Sequence, residues 1–291
     1  MSFRNVVIMS LTLLLAACAS PARVNLSPEQ RSSIKELNAH VIVVQDEVIA
    51  AVQPSQVSLT TGGGLIGAMI DSSVTNSRVK ESQKIMGPFY AEIENVDYRT
   101  IFNDTIREEL KSYPIAVSKV MTSPQSLNQS ELRNATKTLA QDEALLIIAP
   151  SYTLTMDFRS FDATAIVSMW TKSGELKPVY RGVLHYQSPA FGPGGKDSIA
   201  LWGADGAKQF QGTMHESVAE IMKMIRMDVN FTAPQEKRGE SSLFAFNTGA
   251  GNGTIKGRLL SENAGRIIVI GDNGTLYSLP KAQASTAMAQ H

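Results

Sequence analysis

The chain has 291 residues, 43% of them hydrophobic, with 27 basic and 27 acidic side chains that cancel at neutral pH, and a single cysteine. Such a balance builds no strong field for nucleic acid or an anionic surface, and one cysteine cannot form an internal disulfide. Stability has to come from burial, which a chain of this length supports in one or two domains.

The opening stretch, MSFRNVVIMSLTLLLAAC, carries one positive charge at Arg4, an uncharged apolar run of twelve residues from Val6 to Ala17, and small residues at its end. That is the layout of a secretory signal, and it is shorter than the roughly 20 apolar residues a membrane-crossing helix needs. Its last residues, Leu15, Ala16, Ala17 and Cys18, resemble the lipobox of bacterial lipoproteins. The resemblance implies cleavage between Ala17 and Cys18, a diacylglycerol on the Cys18 sulfur and an acyl chain on its new amino group. No other cofactor is expected. More than one lipid chain is needed for stable anchoring, and this set supplies it. Ala19, where the family's retention signal would place aspartate, implies the cell outer membrane, with the periplasmic face the expected side. Residues 1–17 read as the signal peptide and 18–33 as a lipidated, polar, proline-punctuated tether.

Residues 34–232 read as an α/β domain. HVIVV, residues 40–44, is an apolar β-branched run that suggests a buried strand. Residues 83–112 read as helical, with Pro88 tolerable at a helix start, Ile85, Phe89 and Ile93 at fourfold spacing, and Ile101, Phe102, Ile106 and Leu110 forming a second stripe that Pro114 closes. IAVSKVM (115–121) reads as a strand, and a capped short helix is expected to begin near Ser130. Three longer strands follow in ALLIIAPSYTLTMDF, FDATAIVSMWTK and PVYRGVLHYQS, with KSGE (172–175) a hairpin turn between the last two. After the loop FGPGGKDS comes an amphipathic helix with Ala207, Phe210, Met214, Val218, Ile221 and Ile225 on one face and Lys208, Gln211, Glu216, Glu220 and Lys223 on the other. The order implies an α+β fold, an α/β sandwich of one mixed, partly antiparallel sheet covered by helices. Residues 233–241 read as a linker. Residues 242–280 read as a small all-β SH3-like module with turns at SENAG and GDNG; too small for an independent core, it should lean on the larger domain. Residues 281–291 read as a disordered tail.

TTGGGLIGAMIDSSVTNSR, residues 60–78, is too polar to span a membrane as a helix and lacks both the phosphate-loop lysine and the GxGxxG spacing. Four readings stay open: a structured loop or helix packing on the domain, self-association or partner docking, membrane-surface contact, or a small-molecule site. Gly63, Gly64, Leu65, Ile66 and Gly67 are the candidate partner or membrane contacts. Catalytic chemistry finds little support. The four histidines, His40, His185, His215 and His291, form no metal-binding spacing, and no GxSxG elbow occurs. Glu92 with Glu94 and Glu108 with Glu109 read as solvated helix charge, His215 with Glu216 as a surface pair, and Met222, Met224 and Met227 as core filler rather than a copper site. No catalytic residue, no metal and no enzyme activity are expected.

The strand order of residues 40–230, the GGGLIGAMIDSSVTNSR segment ahead of an amphipathic helix, and Trp202 at the last helix resemble envelope lipoproteins whose α/β domain is similar to the amino-terminal domain of TolB or an ABC-transport auxiliary component. The resemblance carries over no catalytic residues. The function expected is a binding or scaffold component in envelope assembly, transport or maintenance, held on the membrane by its lipid and engaging an envelope protein or a second copy, with no nucleic-acid partner. The alternative is a ligand-binding accessory subunit of an envelope transporter or secretion system.

Overall fold

The alternation in FDATAIVSMWT demands an extended segment with one buried face, and in the computed structural model Phe161, Ala163, Ala165, Val167 and Met169 are buried while the residues between them face the other way. The structure describes residues 23–45, 48–51, 74–172, 175–230 and 240–281. Among them ten strands form one mixed sheet: β1 (Glu36–Ile42), β2 (Ile49–Ala50), β3 (Ala116–Ser123), β4 (Glu143–Leu154), β5 (Phe161–Thr171), β6 (Tyr180–Gln187), β7 (Ser242–Asn247), β8 (Asn252–Glu262), β9 (Arg266–Gly271) and β10 (Leu276–Pro280). Their spatial order is β3-β1-β4-β5-β6-β10-β9-β8-β7, with β2 beside the end of β4. β3, β1 and β4 are mutually parallel, the β4–β5–β6 ladder is antiparallel, and β10 joins β6 in parallel. The α+β architecture expected from the sequence is what forms.

Among the described residues five helices accompany the sheet: α1 (Pro28–Ser33), α2 (Val74–Glu92), α3 (Tyr98–Lys111), α4 (Gln129–Lys137) and α5 (Gly195–Asn230). The apolar stripes of α2, α3 and α5 bury Phe89, Phe102, Ile106, Leu110, Phe210, Met214, Val218 and Ile225 against one face of the sheet. Phe210 is the hub, meeting Phe89, Tyr98 and Phe161 edge to face at centroid distances of 5.1, 5.5 and 5.5 Å. Met222 and Met224 are fully buried in this core, as filler. The short helix α4 starts where expected, on a capping box in which the Asn128 side chain accepts from the Glu131 amide and the Glu131 carboxylate accepts from the Asn128 amide.

Four expectations need correction. The helical stretch at 83–112 is two helices, and Pro88 lies inside α2 rather than at a start; it is exposed, so the carbonyl that loses its amide partner is open to water. The amphipathic helix is broken: Ala204 is extended and Asp205, Gly206 and Ala207 are left-handed, with φ of 53°, 67° and 58°. The polar segment expected to hang free through Ser33 is docked from Arg23 onward, since Val24 bridges to Arg181 and Pro28–Ser33 is helical. Lys281, placed in the tail, is tied down by a bond from its amide to the Gly265 carbonyl and an ion pair with Glu262 at 2.6 Å. The rest of that tail and most of the 233–241 linker lie outside the described residues.

The C-terminal strands are all-β, as expected, and they lean on the body in a specific way. β9 is buried on both faces: Ile268 and Ile270 join the main core, while Ile267 and Val269 join a second cluster with Phe244, Ile255 and Leu279. The meander runs β10–β9–β8–β7 and its far end returns to β6 through a side chain, not a backbone ladder. The buried Gln187 amide donates to the Asn247 carbonyl at 2.7 Å and accepts from the Asn247 amide at 2.8 Å, as a strand neighbour would. Arg266 clasps the same seam. Its guanidinium donates to the Gln187 carbonyl (2.6 Å), the Ser278 carbonyl (2.8 Å), the Ser278 hydroxyl (3.0 Å) and Glu216 on α5 (3.1 Å), and lies 4.3 Å above the Tyr186 ring. Only the planar five-donor fork of arginine fits such a set. Arg266→Met should therefore cost roughly 3 kcal/mol by leaving these acceptors unpaired, and Arg266→Lys should recover less than half of it. Denaturant midpoints of the two variants check this.

Candidate binding surfaces at the two ends of the sheet

A carboxylate near the C-terminus of a helix faces the negative end of the dipole and needs compensation. Asp228, two residues from the end of α5, is 1% exposed and has it from two sides. The Tyr180 hydroxyl at the start of β6 donates to one carboxylate oxygen at 2.6 Å, and the Arg23 guanidinium pairs with the other. Burial beside that negative charge pushes the Tyr180 hydroxyl well above its usual range, so it stays a donor at any physiological pH. Arg23 also donates to the Gly274 carbonyl in the β9–β10 turn at 3.0 Å and to Asn25 at 2.7 Å.

The backbone prepares this site. β10 begins at Leu276, opposite Leu184, so the first residues of β6 lack a neighbour on that side. Val24 fills the gap, with reciprocal amide–carbonyl bonds to Arg181 of 2.9 Å each. Pro28 and the Ser27–Gln30 capping box then turn the chain into α1. Ser-Pro-Glu-Gln is a helix-start signal readable in the sequence, and it marks this segment as structured rather than a free tether. Gly182 is required by the same cluster, because a Cβ there would stand 2.5 Å from the Tyr180 hydroxyl and 3.2 Å from Asp228.

The opposite end of the sheet carries a polar group of its own. The Asp157 carboxylate accepts from the Thr155 hydroxyl (2.6 Å), the Arg159 amide (3.1 Å) and the Asn247 side chain (3.2 Å), tying the β4–β5 turn to the β7–β8 turn. Asp162 accepts from Gln187 at 2.8 Å and lies 3.7 Å from His185 Nε2. His185 Nδ1 bonds the Thr164 hydroxyl at 3.0 Å, and its ring meets the edge of Tyr277 at 5.6 Å. Burial raises the Asp162 carboxyl to about 7, Asp157 adding to the effect and the Gln187 bond opposing it, and burial lowers the His185 imidazole to about 4. Threonine, imidazole and carboxyl thus lie in line, but their backbone amides belong to the β4–β5–β6 ladders, which leaves no free pair of donors to hold an oxyanion.

Beside this group the outer face of the sheet carries one exposed apolar side chain among half-buried neighbours. Ala149, Ile166 and Val183 are cross-strand neighbours, and Ile166 is 39% exposed. They form an apolar strip across β4, β5 and β6, flanked by Ser151, Thr164 and His185 on one side and by Ser168 and Arg181 on the other. A separate groove of about 330 Å³ lies between α2 and the break in α5, lined by Pro88, Phe89, Ile199 and Gly203 with Glu92 and Asp205 carboxylates among its walls.

Of the residues expected to act, Cys18, Gly63, Gly64, Leu65, Ile66 and Gly67 all lie outside the described residues, as does His291. The other histidines are dispersed: His40 is buried in β1, His185 sits on β6, and the exposed His215 contacts the Thr105 hydroxyl at 2.7 Å. His215 is therefore not a partner of Glu216, which pairs with Arg266. Glu108 and Glu109 pair with Lys111 and Arg226. Among the described residues, no three histidine, cysteine or acidic side chains are grouped to hold a metal, and no helix is long and apolar enough to cross a membrane. Asp228, Tyr180 and Arg23 were not legible as a unit, because their partners are far apart in sequence. The exposed strip was: Ile166 stands at an outward position of a strand whose other outward residues are mostly polar. Neither a family model nor a curated protein matches this chain.

Two outcomes follow from these clusters. Asp162 has a folded pKa above its unfolded one, so its contribution is favourable at low pH and is lost as pH rises from about 4 to about 7. Asp162→Asn, which keeps the acceptor for Gln187, should leave stability near pH 4 unchanged and raise it by about 1–2 kcal/mol at pH 8, a figure reduced for the 21% of the side chain still exposed. Urea midpoints at the two pH values measure it. Gly182→Ala should cost about 2 kcal/mol and shift the near-ultraviolet tyrosine signal, because Tyr180 must leave Asp228.

Proposed function

We propose that this chain is an outer-membrane-anchored lipoprotein with a periplasmic body, serving as a binding or scaffold component in envelope assembly, transport or maintenance. The observation that carries this reading is the Leu15-Ala16-Ala17-Cys18 sequence at the end of a short apolar run, holding the chain's only cysteine. Lipidation gives that thiol a role, where an exported chain would otherwise carry an unpaired one. Binding is supported by the apolar Ala149–Ile166–Val183 strip on the outer sheet face, exposed at Ile166 and flanked by hydroxyls, an imidazole and a guanidinium, which is the composition of a contact patch with a polar rim.

The second reading, a ligand-binding accessory subunit of an envelope transporter or secretion system, is favoured by the groove between α2 and the α5 break, whose apolar walls carry two carboxylates. A small cationic or amine-bearing apolar molecule co-purifying with the protein would favour it over scaffolding. The anchor is tested by growing cells with a labelled fatty acid. The natural chain should take up label and sediment with outer membrane, and Cys18→Ala should lose both; an unlabelled, freely soluble natural protein contradicts the reading.

A further inference from the structure

The chain between the lipid and Arg23 is short. Arg23 is five residues beyond Cys18, and five extended residues reach at most about 18 Å. Arg23 is held by Asp228 and Gly274, and Val24 by Arg181, so the arm cannot lengthen this reach without breaking those bonds. All of these residues lie at one end of the sheet, where β5 finishes, β6 begins, the β9–β10 turn sits and α5 ends. The Asp157 and Gln187 cluster lies at the other end. Between them runs β4, whose twelve residues span about 40 Å.

We propose that the docked arm orients the whole body on the bilayer that holds its anchor: the Arg23–Asp228 end faces the lipid surface, and the end carrying the β4–β5 and β7–β8 turns faces away from it. This rests on lipidation of Cys18. The occupant of the arm-bearing end is the lipid surface itself, because the arm is too short for a partner of protein thickness to fit between that end and the headgroups. The charges there are mixed, with exposed Lys172 and Lys177 beside Glu175 and Asp272. The orientation is therefore set by tether length and not by a field, and it survives high salt. Undocking would free the chain back to Ile34, sixteen residues from the lipid, and random-coil tethers of that length let a domain tumble.

Site-directed quenching tests this on the full-length acylated protein in vesicles of phosphatidylethanolamine and phosphatidylglycerol containing headgroup-nitroxide lipid. Because the natural cysteine is acylated, Lys177→Cys and Ala250→Cys each supply one reactive thiol, at the arm-bearing end and at the β7–β8 turn. The fluorophore at 177 should be quenched at least about threefold more than the one at 250, in low and high salt alike. A Gly-Ser spacer inserted between Pro21 and Ala22 leaves the latch intact and should abolish most of the difference, as should Arg23→Ala. Equal quenching at the two positions in a protein shown by mass spectrometry to be acylated overturns the orientation alone, as does a difference that the spacer leaves unchanged. Mass spectrometry showing an unmodified Cys18 overturns the anchor and the orientation together.

Discussion

A buried carboxylate with two partners from distant parts of the chain is the constraint on which this structure turns. Asp228 gathers the N-terminal arm, the start of β6, the end of α5 and, through Arg23, the β9–β10 turn. An unpaired carboxylate at that depth would cost several kcal/mol, so the arm cannot leave without penalty, and Gly182 has to lack a side chain for the three groups to meet. The same residues that close one end of the fold fix where the N-terminal arm enters it. Structural and positional roles coincide in one cluster.

The second constraint is that the C-terminal strands are not a separate bead. β10 adds to β6, β9 is apolar on both faces because it lies between two cores, and the Gln187 amide and the Arg266 guanidinium complete the seam where backbone pairing stops. A meander of this size buries too little to stand alone, and it shares the body's core through Ile268, Ile270 and Leu276. The outcome is a single long sheet with one end committed to the arm. On its outer face Ile166 stays exposed.

Much of this was legible in the sequence, for reasons of period. Alternation placed β5 and β6, the 3.6-residue stripes placed α3 and the second half of α5, and Asn128 with Glu131 marked the start of α4. What was not legible depends on tertiary partners. The break at Ala204–Ala207 interrupts a stretch whose apolar spacing is continuous, and it follows directly on Trp202, which donates to the Phe158 carbonyl at 2.8 Å. Asp228 and Arg23 are 205 residues apart, and no local spacing links them. Ser27 and Gln30 carry a capping signal readable from spacing alone, and Pro28 at the first helical position agrees with it.

Amide hydrogen exchange on the arm is the most direct measurement of the central claim. In the full-length protein the Val24 and Arg181 amides should exchange slowly and together, and both should lose protection in Asp228→Asn while the amides of central β5 keep theirs. Immediate exchange of Val24 in the natural protein, with Arg181 likewise unprotected, would mean that the arm swings free and that the Asp228 cluster does not hold this end of the sheet.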